Sequence, residues 1–275
     1  MASRTPDRIS ELFARTRSEG RSAVIPFVPA GWPEFGATPE IVQAAIDGGA
    51  DAIELGLPFS DPLADGATNQ QAYYESLEQG TTPVTLLDTV RSLRASGITI
   101  PIIVMGYVNP MTSYGADRWV TDAVEAGVDG LVIVDLPPNE AAELEIPAHA
   151  AGLHIIYLVA PSSTDDRLRL VAEHASGFVY CVSITGTTGA RSELPEDLPE
   201  FIGRVRAQTD LPLAIGFGIS ERRHVEEVAA LADASIIGSA FVRTISDTPR
   251  EGRAAAVREF VERMTGRASS PVAAE

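Results

Sequence analysis

The segment ELGLPFSDPLADG, residues 54–66, ends a short apolar run with one carboxylate and carries two more carboxylates into the loop that follows. Because Ala52 and Ile53 precede Glu54, the pattern predicts a buried parallel strand that ends close to this acid. The carboxyl end of such a strand faces a cleft in an α/β barrel. A buried acid is costly unless it has a function, so Glu54 is predicted to belong to an acid/base site.

Two further acids lie in the loop after this strand. Pro58 and Pro62 stiffen the loop because proline fixes φ. Asp65 is predicted to share the cleft with Glu54 and to take part in its chemistry. Asp61 fits a solvated turn and is predicted to be structural.

The rest of the chain alternates short β-branched runs with longer amphipathic segments, which is typical of a parallel sheet with helical crossovers. About eight evenly spaced strands in 275 residues favour a closed (β/α)8 TIM barrel over an open doubly wound sheet. The predicted strands cover residues 23–28, 52–55, 102–105, 130–134, 154–158, 178–182, 213–215 and 235–237.

The segments between the strands carry helical periodicity. An extra N-terminal helix over residues 6–17 is expected to plug the barrel bottom, and extra helices are expected after strands 2 and 8. One barrel domain over residues 1–267 is expected, with a disordered tail over residues 268–275. The predicted helices cover residues 39–47, 67–79, 83–95, 117–125, 139–150, 164–174, 198–207, 221–231 and 250–264.

The charge composition of the chain limits the classes of molecule that it is expected to bind. The formal net charge of −17 and the pI near 4.6 argue against nucleic acid and against an anionic membrane surface. The sequence shows no signal-peptide pattern and no stretch that would span a bilayer, and Cys181 is the single cysteine. A cytoplasmic protein that binds a small molecule is expected.

All 21 basic residues are arginine. Without lysine the chain cannot form a Schiff base and cannot attach pyridoxal phosphate covalently, so no cofactor is expected on it. Catalysis is expected to depend on carboxylates and backbone dipoles, without a metal. The histidines have no paired ligand spacing, and each is predicted to be a surface or cap residue; they are His149, His154, His174 and His224.

Glycine-rich segments follow the last two predicted strands. Gly216-Phe217-Gly218-Ile219-Ser220 follows the seventh strand and Gly238-Ser239-Ala240 follows the eighth. In a barrel of this kind these two loops and a short helix N-terminus form the usual phosphate site, because glycine lets backbone N–H groups approach the anion. The polar loop at residues 186–191 is expected to close over a ligand as a lid.

These segments together resemble the tryptophan synthase alpha chain family. The acidic segment at residues 54–66 is highly specific to that family, and matching segments follow in order from about residue 26 to about residue 245. By resemblance, the chain cleaves indole-3-glycerol phosphate to indole and glyceraldehyde 3-phosphate by a retro-aldol reaction. The resemblance also implies an α2β2 complex, in which a beta chain carries pyridoxal phosphate and receives the indole. The other matching motifs are Asn109-Pro110, Val134-Asp135-Leu136-Pro137, and residues 180–189 and 216–220.

The resemblance implies roles for individual residues. Glu54 matches the general acid/base that protonates the indole ring at C3 and then takes the proton of the glycerol hydroxyl. Asp65 matches the carboxylate that accepts a hydrogen bond from the indole N–H and stabilises positive charge on the ring. Thr188 matches the lid residue that meets Asp65. The implied phosphate ligands are Gly189, Gly218, Gly238 and Ser239, and the implied indole-pocket residues are Phe27, Tyr107, Tyr180, Phe217 and Met105, the last of which fits plain barrel core equally well.

The chain departs from the family pattern in several loops. The usual Gly-Pro-Thr-Ile-Gln is replaced by residues 66–70, Gly-Ala-Thr-Asn-Gln, so that Asn69 stands in place of an isoleucine. The departures leave Glu54 and Asp65 unchanged, but in the family these loops touch the lid or the beta chain. The other departures are Pro29, Trp32, Tyr73, Tyr74, Gly106 and Thr187.

Three functions remain open from the sequence. The chain is the alpha subunit of a two-enzyme complex, a freestanding indole-3-glycerol phosphate lyase that releases indole, or a catalytically silent barrel that serves as a regulatory subunit. The intact pair Glu54 and Asp65 argues against the silent barrel.

Overall fold

The computed structural model describes residues 7–182, 194–216 and 218–267. Within these residues nine parallel strands form one sheet in the order β5-β4-β3-β2-β1-β9-β8-β7-β6. The strands are β1 (Ala23–Pro29), β2 (Ile53–Gly56), β3 (Ile102–Gly106), β4 (Gly130–Ile133), β5 (His154–Ile156), β6 (Leu158–Val159), β7 (Val179–Val182), β8 (Leu213–Gly216) and β9 (Ala234–Ile237).

The two outer strands of this order are halves of one interrupted strand. β5 pairs with β4, β6 pairs with β7, and Tyr157 separates them along the chain. The interrupted strand therefore joins the two edges of the sheet, and the sheet closes into a barrel. Because β5 and β6 occupy one position, the nine strands make eight strand positions. The predicted (β/α)8 barrel is confirmed, and the observed outer ends of its eight strand positions lie within one residue of the predicted ends.

Helices surround the barrel. α4 begins with a reciprocal cap in which Thr82 and Thr85 exchange side-chain and backbone hydrogen bonds. α6 ends at Gly127, whose φ of 96° is the left-handed conformation that glycine adopts readily. The helices of the described residues are α1 (Arg8–Ser18), α2 (Thr38–Asp47), α3 (Ala67–Glu78), α4 (Pro83–Ala95), α5 (Val108–Tyr114), α6 (Ala116–Ala126), α7 (Ala142–Ala151), α8 (Asp165–His174), α9 (Leu198–Arg206), α10 (Arg222–Ala229), α11 (Ser239–Ser246) and α12 (Arg250–Thr265).

Two expectations need correction. The sequence analysis missed α5, which has seven residues and is too short to show a helical period. His224 was predicted to be a surface or cap residue, but its side chain is buried in α10, where its Nδ1 accepts a hydrogen bond from the Ser220 N–H at 3.2 Å.

The extra helices α1, α3 and α11 are present as expected.

Three aspartates close the bottom of the barrel by the same arrangement. Asp51, Asp129 and Asp233 each lie one or two residues before a strand. Each carboxylate accepts a hydrogen bond from the backbone N–H near the start of the neighbouring strand, at distances of 2.8 to 3.0 Å. A buried carboxylate at Asp51 and Asp129, and a half-buried one at Asp233, thus fixes the register of two strands at each position.

Helix α1 is attached to all three aspartates through arginines. Arg15 contacts Asp51 at 2.9 Å and Arg8 contacts Asp129 at 2.8 Å, while Arg17 lies 3.6 Å from Asp233. The expected N-terminal plug is therefore held by ion pairs as well as by apolar contacts, since its buried residues include Ile9, Leu12 and Phe13.

Replacing Asp51 by asparagine is expected to lower the free energy of unfolding by about 1–3 kcal/mol, because the change weakens the bonds to Arg21, Arg15 and the Val24 N–H in a buried position. Urea denaturation measures this loss. The matched control is Asp88→Asn, which removes an exposed pair with Arg91 and is expected to change stability by less than about 0.5 kcal/mol. Equal effects of the two substitutions would contradict a structural role for the buried aspartate.

Candidate active site

Glu54 lies in β2 with its side chain 1% exposed. Its Cα is in register with Phe27 of β1, and its Oε1 has no hydrogen-bond partner among the described residues. Burial raises the pKa of Glu54 from 4.5 to about 8, and the negative charge of Asp65 adds to this shift. At neutral pH the side chain is therefore mostly a neutral acid that can donate a proton.

Asp65 lies at the end of the acidic loop, immediately before α3, and is 4% exposed. The Tyr107 hydroxyl donates a hydrogen bond to its Oδ2 at 2.8 Å, and Asn69 Nδ2 donates to its Oδ1 at 3.3 Å. Burial raises the pKa of Asp65, whereas these two hydrogen bonds act to lower it. The two buried acids therefore differ in surroundings. Both carboxylate oxygens of Asp65 accept hydrogen bonds from protein side chains, whereas the Oε1 of Glu54 has no hydrogen-bond donor in the described part of the chain.

The acidic loop is held by polar contacts to its own residues and to the next strand. The Ala64 N–H donates to the Tyr107 hydroxyl at 3.0 Å, and the Gln70 amide donates to the Asp65 carbonyl at 2.8 Å. These contacts place the Asp65 carboxylate without help from a ligand. Asp61 is exposed and accepts a hydrogen bond from the Ser60 hydroxyl, which is the solvated turn expected for it.

Aromatic rings enclose the space around the two acids. The rings of Phe27 and Tyr73 meet edge to face, with centroids 6.2 Å apart. A Cβ at Gly56 would lie 2.7 Å from the Tyr73 hydroxyl, and a Cβ at Gly216 would lie 2.2 Å from the hydroxyl of Tyr180. These two strand positions therefore require glycine to leave room for the tyrosine side chains.

Three of the four predicted phosphate ligands, Gly218, Gly238 and Ser239, lie at the carboxyl ends of β8 and β9. Gly218 has a φ of 78°, and Gly238 immediately precedes Ser239, the first residue of α11. The nearest heavy atom to a Cβ built on Gly238 is Asn69 Nδ2 at 3.8 Å, so the backbone here is open to an anion. The N-terminus of α11 supplies backbone N–H groups and the positive end of the helix dipole.

The structure brings most of the predicted site residues to the same end of the barrel. Glu54, Asp65, Phe27, Tyr107 and Tyr180 have mutual contacts or electrostatic interactions, whereas Gly218, Gly238 and Ser239 line the neighbouring strand ends. Met105 is 7% exposed and belongs to the buried core. The predicted residues Thr188, Gly189 and Phe217 lie outside the described residues.

Sequence reasoning did not assign Asn69 and Tyr73 to the site. Asn69 contacts Asp65 directly, and Tyr73 packs on Phe27 above the end of β2. The available signal was the spacing: Asn69 follows Asp65 by four residues, and Asn69 and Tyr73 are four apart in the predicted helix and so share one of its faces. Among the described residues no group of histidine, cysteine or acidic side chains could hold a metal ion, and no helix is long and apolar enough to span a membrane.

Comparison with known proteins identifies the family. A family model described as tryptophan synthase alpha chain matches residues 13–269. The tryptophan synthase alpha chain of Chloroflexus aggregans is 48% identical over 259 residues, which is 93% of this chain and 97% of that protein. That of Roseiflexus sp. is 46% identical over 259 residues, which is 94% of this chain and 99% of that protein. This chain belongs to the tryptophan synthase alpha chain family.

Solved structures agree with this family membership. A crystal structure of tryptophan synthase subunit alpha from Legionella pneumophila superposes with a TM-score of 0.86 at 31% identity, over 94% of this chain and 97% of that chain. A crystal structure of tryptophan synthase from M. tuberculosis superposes with a TM-score of 0.84 at 32% identity, over 94% of this chain and 97% of that chain.

As a tryptophan synthase alpha chain, the protein is a lyase of tryptophan biosynthesis that cleaves indole-3-glycerol phosphate. Alpha chains of this family associate with a beta chain, and the pyridoxal phosphate belongs to that beta chain. The absence of lysine from this sequence agrees with that division.

Glu54→Gln is expected to stabilise the protein at pH 8 by roughly 2–5 kcal/mol. Unfolded Glu54 ionises near 4.5 and folded Glu54 near 8, so between these pH values the folded parent holds one proton more than the unfolded chain. The stability that this group contributes therefore falls as the pH rises through this range, and glutamine removes the penalty. Denaturation at pH 4.5 and pH 8 measures the difference, and an equal effect at both pH values would contradict the raised pKa.

Proposed function

We propose that Glu54 and Asp65 carry out the cleavage of indole-3-glycerol phosphate as an acid/base residue and a charge-stabilising residue. The observation that supports this assignment is the pairing of two buried acids in different surroundings at the carboxyl ends of the strands. When two carboxyl groups lie in different environments, their pKa values differ, and one can act as the acid while the other stays an anion.

The first step is a proton transfer from neutral Glu54 to C3 of the indole ring. The positive charge then spreads toward the ring nitrogen, and Asp65 stabilises it by accepting a hydrogen bond from the indole N–H. Tyr107 and Asn69 hold the Asp65 carboxylate by its two oxygens and favour its ionised form.

The second step breaks the carbon–carbon bond. Glu54, now a carboxylate, takes the proton of the hydroxyl on the adjacent glycerol carbon as that carbon becomes an aldehyde. The electrons of the broken bond return to the ring, which leaves as neutral indole, and Glu54 is again protonated. Glu54 gives one proton and takes one back in each cycle, so the reaction needs no second acid.

The phosphate end of the substrate is proposed to bind at Gly218, Gly238 and Ser239. The open backbone at Gly238 and the N-terminus of α11 support this placement. Local donors are needed because the protein has a net charge of −17, which repels an anion at long range. Phe27 and Tyr180 are proposed to contact the indole, and Thr188, Gly189 and Phe217 are proposed to complete the site.

We further propose an α2β2 complex with a pyridoxal-phosphate beta chain that receives the indole. Leu63, at 83% exposure, lies in the loop between the two catalytic acids and offers an apolar contact at the rim of the site. The organisation as one barrel domain over residues 1–267 with a tail at 268–275, and a cytoplasmic location, are part of the same proposal. One contiguous buried cluster supports the single domain.

Glu54→Gln is expected to lower kcat for indole release by about 10²–10⁴-fold, because glutamine can neither donate nor accept the proton. Asp65→Asn is expected to cost about 10²–10³-fold through the lost charge. The measurement is indole formed from indole-3-glycerol phosphate, with substrate binding by Glu54→Gln checked by calorimetry.

Asp61→Asn is the matched control, because Asp61 is an exposed acid of the same loop and is expected to leave the rate nearly unchanged. Appreciable turnover by Glu54→Gln would remove Glu54 from the proton transfers. Normal rates for Asp65→Asn would remove Asp65 from charge stabilisation.

Addition of a purified tryptophan synthase beta chain is expected to raise the rate of cleavage by at least about tenfold, because docking beside the acidic loop is proposed to favour the conformation that cleaves the substrate. The measurement is glyceraldehyde 3-phosphate formed with and without the beta chain. Full activity without the beta chain, and no response to it, would instead identify a freestanding lyase. No cleavage under either condition would identify a silent barrel.

A further inference from the structure

Asn69 and Tyr73 lie four residues apart on α3, and Asp65 lies four residues before Asn69 in the loop that leads into this helix. Residues at this spacing lie above one another on one helix face. The face that Asn69 and Tyr73 share carries an amide and a phenol, and it is directed into the barrel mouth, since Asn69 reaches Asp65 and Tyr73 covers Gly56. We call Asn69 and Tyr73 the α3 polar pair.

Both residues of the α3 polar pair carry a buried polar atom that lacks a partner. Asn69 Oδ1 and the Tyr73 hydroxyl each have no hydrogen bond among the described residues. The Tyr73 side chain is fully buried, with 0% exposure. An unpaired buried polar group costs about 1–3 kcal/mol, so these atoms are positioned for a ligand that supplies the missing bonds.

The position of Asn69 relates these atoms to the substrate. Its Nδ2 lies 3.3 Å from Asp65 Oδ1 on one side and 3.8 Å from the position of a Cβ at Gly238 on the other. Asp65 is the proposed partner of the indole N–H, and Gly238 is a proposed phosphate ligand. Asn69 therefore lies between the groups that hold the two ends of the substrate.

The substrate has one unassigned polar group in this middle region. Its glycerol chain carries two hydroxyls: Glu54 acts on the hydroxyl at the carbon whose bond breaks, and the second hydroxyl lies between that carbon and the phosphate. We propose that the α3 polar pair binds this second, non-reacting hydroxyl, with Asn69 Oδ1 accepting its hydrogen and the Tyr73 hydroxyl donating to its oxygen. This inference rests on the proposed function.

The contact makes the α3 polar pair a determinant of substrate specificity. A site that hydrogen-bonds a substrate hydroxyl rejects an analogue that lacks it, because the polar atoms of the site then stay unpaired. A side chain without polar atoms at the position of Asn69 could not form such a bond.

Asn69 has a second contact that must be separated from the first. Its Nδ2 donates to Asp65, so any substitution also changes the surroundings of the carboxylate. A change that acts through Asp65 alone lowers cleavage of every indole substrate by the same factor. A change that acts through the second hydroxyl affects only substrates that carry this hydroxyl.

The test compares indole-3-glycerol phosphate with its analogue that lacks the non-reacting hydroxyl. The parent protein is expected to prefer the complete substrate by at least about 100-fold in kcat/KM. Asn69→Leu, which keeps the side-chain volume, and Tyr73→Phe, which keeps the ring, are each expected to reduce this preference at least about tenfold. Tyr74→Phe is the matched control, because Tyr74 lies on the same helix with 59% exposure, and it is expected to keep the preference of the parent.

Equal losses on the two substrates in both variants would overturn the proposal and leave Asn69 with a role through Asp65 alone. Thermal unfolding of each variant verifies that it is folded before its kinetics are compared. If the parent cleaves neither compound, the proposed function itself fails. If the parent cleaves both at similar rates, the proposed function stands and this inference fails.

Discussion

The burial of Glu54 at the end of β2 is the constraint on which the rest of the site depends. Burial raises its pKa to about 8, which makes a carboxylic acid a proton donor at neutral pH. The proposed role of Asp65 requires an anion; burial raises the pKa of Asp65 as well, but hydrogen bonds from Tyr107 and Asn69 counteract that rise. Both acids are buried, and the different hydrogen-bond partners of their carboxyl groups keep the two environments different.

The opposite end of the barrel uses aspartates in a different way. Asp51, Asp129 and Asp233 are also largely buried or half-buried, but each is matched by arginines and by a backbone N–H. Their hydrogen bonds fix strand starts, whereas Glu54 keeps an unpaired oxygen within the described part of the chain. The three aspartates at one end of the barrel are thus paired with arginines and backbone N–H groups, while the two acids at the other end are placed for a ligand, as a trade between stability and activity requires.

The sequence predicted the features that depend on local pattern. Strand positions and the burial of Glu54 follow from apolar runs and from an acid at a strand end, and the structure agrees on where these residues lie. The roles of Glu54 and Asp65 come from the resemblance to the family and stay predictions. The sequence did not reveal α5, which is too short for a period, or the burial of His224, which depends on packing around α10. The position of Asn69 between Asp65 and Gly238 depends on contacts between residues 169 apart along the chain, and no local pattern records such a contact.

The most direct test of this account is the titration of Glu54 in the folded protein. Infrared difference spectra between the parent and Glu54→Gln isolate the C=O stretch of the protonated Glu54 side chain. This band is expected to disappear with a midpoint near pH 8. A midpoint near the ordinary value of 4.5 would mean that Glu54 is ionised at neutral pH and would contradict its role as the proton donor.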